Sequence, residues 1–293
     1  MTDYSKYLIV TDLDGTFFGV GARQVERNLT AIRHFKAHGG HITAGTGRIP
    51  ANIRRSIPAC GELFNAPAVT ANGSFIYDLT ADVCLHSTPM DPIAVKAAVE
   101  LVQSLSDRVG ARVSTRKAFL VNENRMNDAI LRDLGERATF GGEILPVEQW
   151  QTEGALWYKI VFRGEYEDLA AIRPIVEATF GDIFEYSVSS PRFFELQKKG
   201  TTKATGLRFV ADYMTSKLGH PVTTIAVGDQ ENDLPMLRAA DLAACPSNAV
   251  DAVKAVCKIH LCHHDEGCIG DLIERLPGLC MPSKLGETRL RAF

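Results

Sequence analysis

The stretch Tyr7-Leu8-Ile9-Val10-Thr11-Asp12-Leu13-Asp14-Gly15-Thr16 constrains the fold more than any other part of the chain. A short apolar, β-prone run that ends in a turn signal reads as a strand buried on both faces, as in a parallel sheet. Ligands of such sheets bind outside the carboxyl ends of the strands, which puts Asp12 and Asp14 at the lip of the sheet. Continued alternation would point both carboxylates the same way and turn Leu13 back into the core. Two carboxylates this close repel, and a hard cation with oxygen ligands is the usual remedy. An ordinary Asp-Gly turn fits the same residues, so this segment alone leaves both readings open.

The rest of the chain places that strand in a larger pattern. Val25, Leu29, Ile32 and Phe35 recur at helical spacing, and Gly39-Gly40 stops the helix. A second short strand over 41–44 follows, and Pro50 is placed to open the next helix. A strand at 68–71 returns through Asn72-Gly73, a strong hairpin signal. From about 80 the order changes to a helix at 91–106, a strand-like stretch at 111–121, a helix near 124–137 and a strand at 156–162. A helix at 165–179 and strands near 184–188 and 192–197 complete this segment. Hairpin-sized gaps suit an antiparallel sheet with helices on one face.

After 200, strict alternation resumes: helix 202–216, then strands at 222–227, 242–245 and 258–262, with helices between and after them. The expected fold is therefore α/β: a doubly wound, Rossmann-like parallel-sheet core over 1–79 and 196–293, with an inserted α+β cap over 80–195. The tail from Pro277 reads as a surface extension.

Bulk properties exclude several classes. A net charge of −3 gives no basic footprint, so nucleic acid is not an expected partner. No apolar run approaches the ~18 residues that span a bilayer, and the N-terminus does not fit a signal peptide. Seven cysteines, an odd number, point to free thiols in a reducing compartment and hence to the cytoplasm. Nothing in the pattern sets an oligomeric state. Cys257, Cys262, His263, His264 and Cys268 crowd together, but their spacings match no paired zinc motif. A short strand end followed by a polar loop is the simpler reading.

Four polar loops follow, or lie beside, strands of the expected sheet. The first carries Asp12 and Asp14. In the second, Thr46 and the Gly47 amide could bind phosphate oxygens at a helix entry, or merely form a turn. In the third, Lys203 sits at a helix start, where a cation opposes the dipole and needs an anion to justify it. Lys198 and Lys199 compete for that role. In the fourth, Asp229, Asn232 and Asp233 open a helix after an apolar strand, as caps or as a cation site.

In this order, Asp12-x-Asp14-Gly15-Thr16, Thr46-Gly47-Arg48, Lys203 and Gly228-Asp229-x-x-Asn232-Asp233 resemble the four motifs of the haloacid dehalogenase superfamily. The position of the insertion resembles that of the Cof-type, sugar-phosphatase-like members with a type C2 cap. The resemblance implies that Asp12 is a nucleophile that becomes an aspartyl-phosphate and that Asp14 is a general acid and base. It implies phosphate binding by Thr46, Gly47, Lys203 and Asn232, and Mg²⁺ held by Asp12, the Asp14 main-chain oxygen and Asp229. Asp233 supports the site, and Arg48 and the cap residue Arg192 are further candidates. The implied activity is hydrolysis of a small phosphorylated metabolite such as a sugar phosphate, with a phosphomannomutase-type mutase or a non-catalytic phosphometabolite sensor as alternatives. Gln230 stands where glycine is frequent and Phe17-Phe18 replace a common leucine pair; neither change removes a reactive group. Gly15, Gly19 and Gly21 do not form a dinucleotide-binding Gly-x-Gly-x-x-Gly.

Overall fold

The structure is a computed structural model that describes residues 2–116, 118–122 and 142–279. Its first strand, β1 (Tyr7–Thr11), is buried along its whole length. It lies between β2 (His41–Ala44) and a strand from the far end of the chain, Thr223–Val227, and pairs in parallel with both. Numbered in chain order, β3 (Ala68–Thr70), β4 (Phe75–Asp78) and β5 (Val83–Ser87) form an antiparallel sheet. A parallel bridge from Gly45 to Val69 links it to the first sheet.

The next six strands are β6 (Gly110–Ser114), β7 (Phe119–Asn122), β8 (Gly142–Leu145), β9 (Lys159–Arg163), β10 (Phe184–Ser190) and β11 (Phe193–Lys198). They build a separate sheet in the order β10-β11-β9-β6-β7-β8. The chain then returns with β12 (Thr223–Val227), β13 (Leu242–Pro246) and β14 (Ile259–Leu261), giving a central parallel sheet ordered β14-β13-β12-β1-β2.

Alternation in β1 explains the double winding. Ile9 joins one core with Ile32 and Phe35 of the helix Glu26–Ala37 and Leu272 of the helix Cys268–Arg275. Leu8 and Val10 join the opposite core with Leu207, Val210 and Met214 of the helix Lys203–Leu218. A strand apolar at every position can be buried only between two helical layers, and that is the arrangement found. In the second sheet, the helices Pro92–Leu105 and Tyr166–Phe180 pack on one face, with Val95, Val99, Ile172 and Val176 against Val113, Ile160 and Phe162. The other face looks toward the tip of β1.

Three expectations need correction or limits. The strand-like stretch at 111–121 is a hairpin, because Thr115 accepts from the Ala118 amide at 3.0 Å and donates to its carbonyl at 2.9 Å. Its second strand, β7, pairs in parallel with β8, a feature that hairpin-sized gaps did not suggest. The expected helix at 124–137 and most of the tail from Pro277 lie outside the described residues. Among the described residues no helix is long and apolar enough to cross a membrane.

Candidate active site

Hydrogen bonding of β1 carries one residue past its end, where the Asp12 amide donates to the Val227 carbonyl at 2.8 Å. The chain then turns tightly over Leu13–Phe17 rather than continuing as a strand. This corrects the expected alternation. Leu13 does enter the core, and Asp12 is buried, but the Asp14 side chain is 57% exposed. Arg48 grips Asp14 with its Nε donating to Oδ2 at 2.7 Å and its Nη2 donating to Oδ1. Arg48 also stacks over Phe18 and donates to Ser56 Oγ at 2.7 Å. The exit of the turn is held by Asn28, which sequence reasoning passed over, and by His264, which it weighed only as part of a metal cluster. The Asn28 amide donates to the Phe17 carbonyl at 3.0 Å, and His264 Nδ1 donates to the Phe18 carbonyl at 2.6 Å.

The other three loops converge on Asp12. Lys203 begins its helix behind the Thr202 cap, and its fully buried Nζ donates to Asp12 Oδ1 at 2.7 Å and to Asp233 Oδ1 at 2.6 Å. Lys198 and Lys199 are exposed. The second oxygen of Asp233 accepts from the amides of Asp229 and Gln230, at 2.9 and 3.1 Å. Thr16 donates to Asp229 Oδ1 at 2.7 Å. Thr46 is buried, its amide donating to the Val69 carbonyl at 2.8 Å, and its hydroxyl accepts from the Arg48 amide. Asn232 Nδ2 lies 3.5 Å from Asn72 Oδ1.

Acidic groups outnumber the cation in this cluster. Burial works against the Lys203 ammonium, but Asp12 and Asp233 outweigh it and raise its pKa, so the lysine keeps its proton. Burial drives the Asp12 carboxyl well above the usual carboxylate range; Lys203 opposes this, while Asp233, Asp229 and Asp14 add to it. Asp229 is pushed up to about 7, chiefly by burial and then by Asp233, against the Thr16 hydrogen bond. One ammonium therefore serves three buried carboxylates.

That donor set suits a hard divalent cation. Ligand oxygens of Asp12, Asp229 and Asp233 lie within 4.8 Å of one another. Both Asp233 oxygens are committed to Lys203 and to amides, which leaves Asp12 and Asp229 as the carboxylates with capacity to ligate. Gly15 makes room for this. Its φ is +79°, and a Cβ there would stand 2.5 Å from Asp229 Oδ2. A metal must displace the Asp229 proton, so its binding strengthens as pH rises through about 7. The sign for stability follows. A raised carboxyl makes metal-free protein less stable as pH climbs from its unfolded value toward about 7. Mg²⁺ should then raise the melting temperature more at a pH about one unit above that value than one unit below. Differential scanning fluorimetry checks this, and an equal shift at both pH values would mean that Asp229 ligates no metal.

The second sheet closes the cluster into a cavity of about 390 Å³. Core groups lining it include Asp12, Asp14, Thr46, Gly47, Arg48 and Asn232. The sheet supplies Arg112, Ser114, Lys159, Arg163 and Glu195, none of which sequence reasoning singled out. Lys159 Nζ donates to the Gly47 carbonyl at 2.8 Å and to Glu195 Oε1 at 2.9 Å. Asn72 donates to Glu195 Oε2 at 2.6 Å. Its backbone is left-handed at φ 56°, a strained state for a residue other than glycine. Burial would raise Glu195, but Lys159, the Asn72 amide and Arg112 hold it below the ordinary value. Burial, helped by Arg112 and Lys203, holds the Lys159 ammonium below its ordinary value although Glu195 opposes it. The available signal was the two-residue spacing of Arg112 and Ser114 in β6 and of Glu195 and Gln197 in β11.

Two other expectations fare differently. Arg192 is exposed at the β10–β11 turn, pairs with Glu165 at 3.1 Å, and does not line the cavity. The cysteine and histidine cluster is divided by the central sheet. Cys257 packs in the core with Val10, and Cys268 in the core with Ile9. His263, His264 and Asp265 do gather within 4.8 Å, but His264 and Asp265 are used to hold the chain after Phe17. Asp265 Oδ1 accepts from the Val20 amide at 2.7 Å.

A doubly wound sheet with an acidic pair after its first strand, a buried lysine, and a second acidic loop defines a hydrolase class. The chain belongs to the haloacid dehalogenase-like hydrolase family, whose pattern matches residues 9–273. It is 28% identical over 257 residues to a 5-amino-6-(5-phospho-D-ribitylamino)uracil phosphatase of Bacillus subtilis, covering 85% of this chain and 90% of the relative. It is 24% identical over 255 residues to a pyridoxal phosphate phosphatase of Escherichia coli, with 85% and 90% covered. A haloacid dehalogenase-like hydrolase of solved structure from B. subtilis shares the fold with a TM-score of 0.78 at 21% identity, covering 92% of this chain and 99% of that one.

Proposed function

We propose that this protein is a Mg²⁺-dependent phosphatase that hydrolyses a small phosphorylated metabolite, a sugar phosphate or similar polyol phosphate, through an aspartyl-phosphate on Asp12. The observation that carries this reading is the Asp12 carboxylate, buried at the cavity floor and held by the Lys203 ammonium at 2.7 Å. Both relatives named above act on small phosphorylated compounds, one of them with a phosphorylated ribityl chain. The core over 1–79 and 196–293 would supply the chemistry and the cap over 80–195 the selectivity. Asp12, Asp229 and the Asp14 main-chain oxygen would hold the metal. Bound there, Mg²⁺ would offset the charge of the phosphate as a carboxylate approaches it.

The chain's own residues account for the remaining steps. An Asp12 oxygen forms a bond to phosphorus as the ester oxygen leaves, and Asp14 gives that oxygen a proton. Asp14 then takes a proton from water, which attacks the phosphorus, frees inorganic phosphate and restores Asp12. Arg48 grips Asp14 in this structure, so Asp14 must turn from Arg48 into the cavity when substrate arrives. Thr46, the Gly47 amide, Asn232 and Lys203 hold the phosphoryl oxygens and balance charge in transit. Asp233 positions Lys203 and the Asp229 loop.

The test is phosphate release from a panel of phosphorylated sugars with Mg²⁺ and with chelator. Free phosphate that depends on the metal is the expected result. An isomerised sugar phosphate without free phosphate would instead make the protein a mutase.

A further inference from the structure

The loop Thr46-Gly47-Arg48 has its three carbonyls held by three different groups. The Asn72 amide donates to the Thr46 carbonyl at 3.0 Å, and the Ala71 amide donates to the Arg48 carbonyl at 2.8 Å. Both holders belong to the connection between β3 and β4 and are left-handed, at φ 56° and 48°. Such strain persists only where the surrounding structure dictates it. The middle carbonyl is held from the second sheet, where Lys159 Nζ donates to the Gly47 oxygen at 2.8 Å.

That oxygen belongs to the same peptide unit as the Arg48 amide, which donates to Thr46 Oγ1 at 3.2 Å. Ammonium, peptide and hydroxyl therefore form one chain. Because the Thr46 oxygen accepts there, its own proton points elsewhere, and among the described residues it is given to no protein group. The Gly47 amide is likewise unbonded among the described residues. Thr46 and Gly47 both line the cavity. Two donors left over at a cavity wall are a preorganised pair for an oxyanion.

Each donor is set by a different hold. Asn72 fixes the peptide that carries the Gly47 amide, and Lys159 fixes the peptide that orients the Thr46 hydroxyl. A peptide beside glycine turns easily, since no Cβ restricts it. A charged donor on its oxygen both fixes the unit and polarises its N–H, which strengthens the next bond. Lys159 is itself fixed, by Glu195 Oε1 at 2.9 Å, while Glu195 Oε2 accepts from the Asn72 side chain at 2.6 Å. Asn72 thus ties the two holds together.

Resting on the phosphatase reading, we propose that Lys159 is a positioning residue for the reaction: acting through the Gly47–Arg48 peptide, it aims the Thr46 hydroxyl at the phosphoryl group. The cap then contributes to binding the phosphate itself, as well as to the choice of its organic part.

The experiment is calorimetric titration of the Mg²⁺-loaded full chain with inorganic phosphate, a ligand with no organic part for a cap to read. Lys159→Met combined with Glu195→Gln removes the hold and leaves neither charge of the pair unpartnered. The double variant should bind phosphate about tenfold more weakly. In a Thr46→Val background the same two changes should weaken binding by about twofold or less, because the group that Lys159 aims is gone. Should the double variant fail to fold, Lys159→Gln, uncharged and one bond shorter, carries the same comparison.

Phosphate affinity within about twofold of the parent protein in the folded variant overturns the proposal. A tenfold loss that persists in the Thr46→Val background overturns it as well, since a merely structural brace would give that result. So does a parent protein that binds no phosphate. The expected non-additive loss, with no phosphate released from any ester, would instead sink the phosphatase reading and leave the positioning role standing.

Discussion

Asp12→Asn is expected to lower metal-dependent phosphate release by about 10⁴-fold or more, the scale of loss when a covalent nucleophile is removed. The substitution keeps the shape of the side chain and replaces one oxygen with an NH2 group that cannot attack phosphorus. It also removes one of the charges facing Lys203, so it should not destabilise the fold. Burial already disfavours the Asp12 carboxylate in metal-free protein, and a neutral amide relieves that cost. The pairing of lost turnover with retained or raised stability separates a chemical role from a structural one. Phosphate release within tenfold of the parent protein would remove Asp12 from the reaction.

Lys203→Met should have the largest effect on stability. The side chain is fully buried and bonded to Asp12 and Asp233. Removing one partner of a buried pair leaves uncompensated charge and typically costs about 3–5 kcal/mol. Methionine fills similar volume, so little of the loss would come from a cavity. Asp233 cannot turn to solvent, because its other oxygen holds the Asp229 and Gln230 amides. Mg²⁺ should restore part of the loss, since a ligand of Asp12 and Asp229 supplies positive charge to the same cluster. Urea unfolding with and without the metal measures both effects. A cost below about 1 kcal/mol would mean that Lys203 does not offset an ionised acid in this cluster.

Much of this site was legible because its residues sit at local punctuation. Asp12 follows an apolar run, Lys203 begins a helix, and Asp229 to Asp233 open a turn after another apolar strand. Each is marked by a change of period that can be counted in the chain. The errors arose where a local rule was carried too far. Alternation was extended through Asp14, but strand pairing stops after Asp12 and the tight turn over Leu13–Phe17 sends Asp14 out to Arg48. Arg192, a cap candidate just before the return to the core, occupies a turn at the cap's edge and pairs with Glu165.

The cap residues were illegible for a different reason. Arg112 and Glu195 sit between apolar neighbours and Lys159 and Arg163 bracket the apolar run Ile160–Phe162, as charged residues do on any sheet with one wet face. Period two states that a sheet has a polar face but not what the face looks at. Here it looks at Gly47 and Asn72, residues that lie 112 and 123 positions from Lys159 and Glu195 respectively.

The chain's own order of strands, helices and four polar loops determined the doubly wound core and the acids at its first tip. Apolar periodicity dictates which segments must be buried, and strand ends dictate where loops converge. Only the tertiary structure decided which lysine reached Asp12, where Asp14 turned, and which cations roofed the cavity. The first and last depend on contacts between segments more than a hundred residues apart, and the second on Arg48, 34 residues from Asp14; no local pattern encodes that geometry.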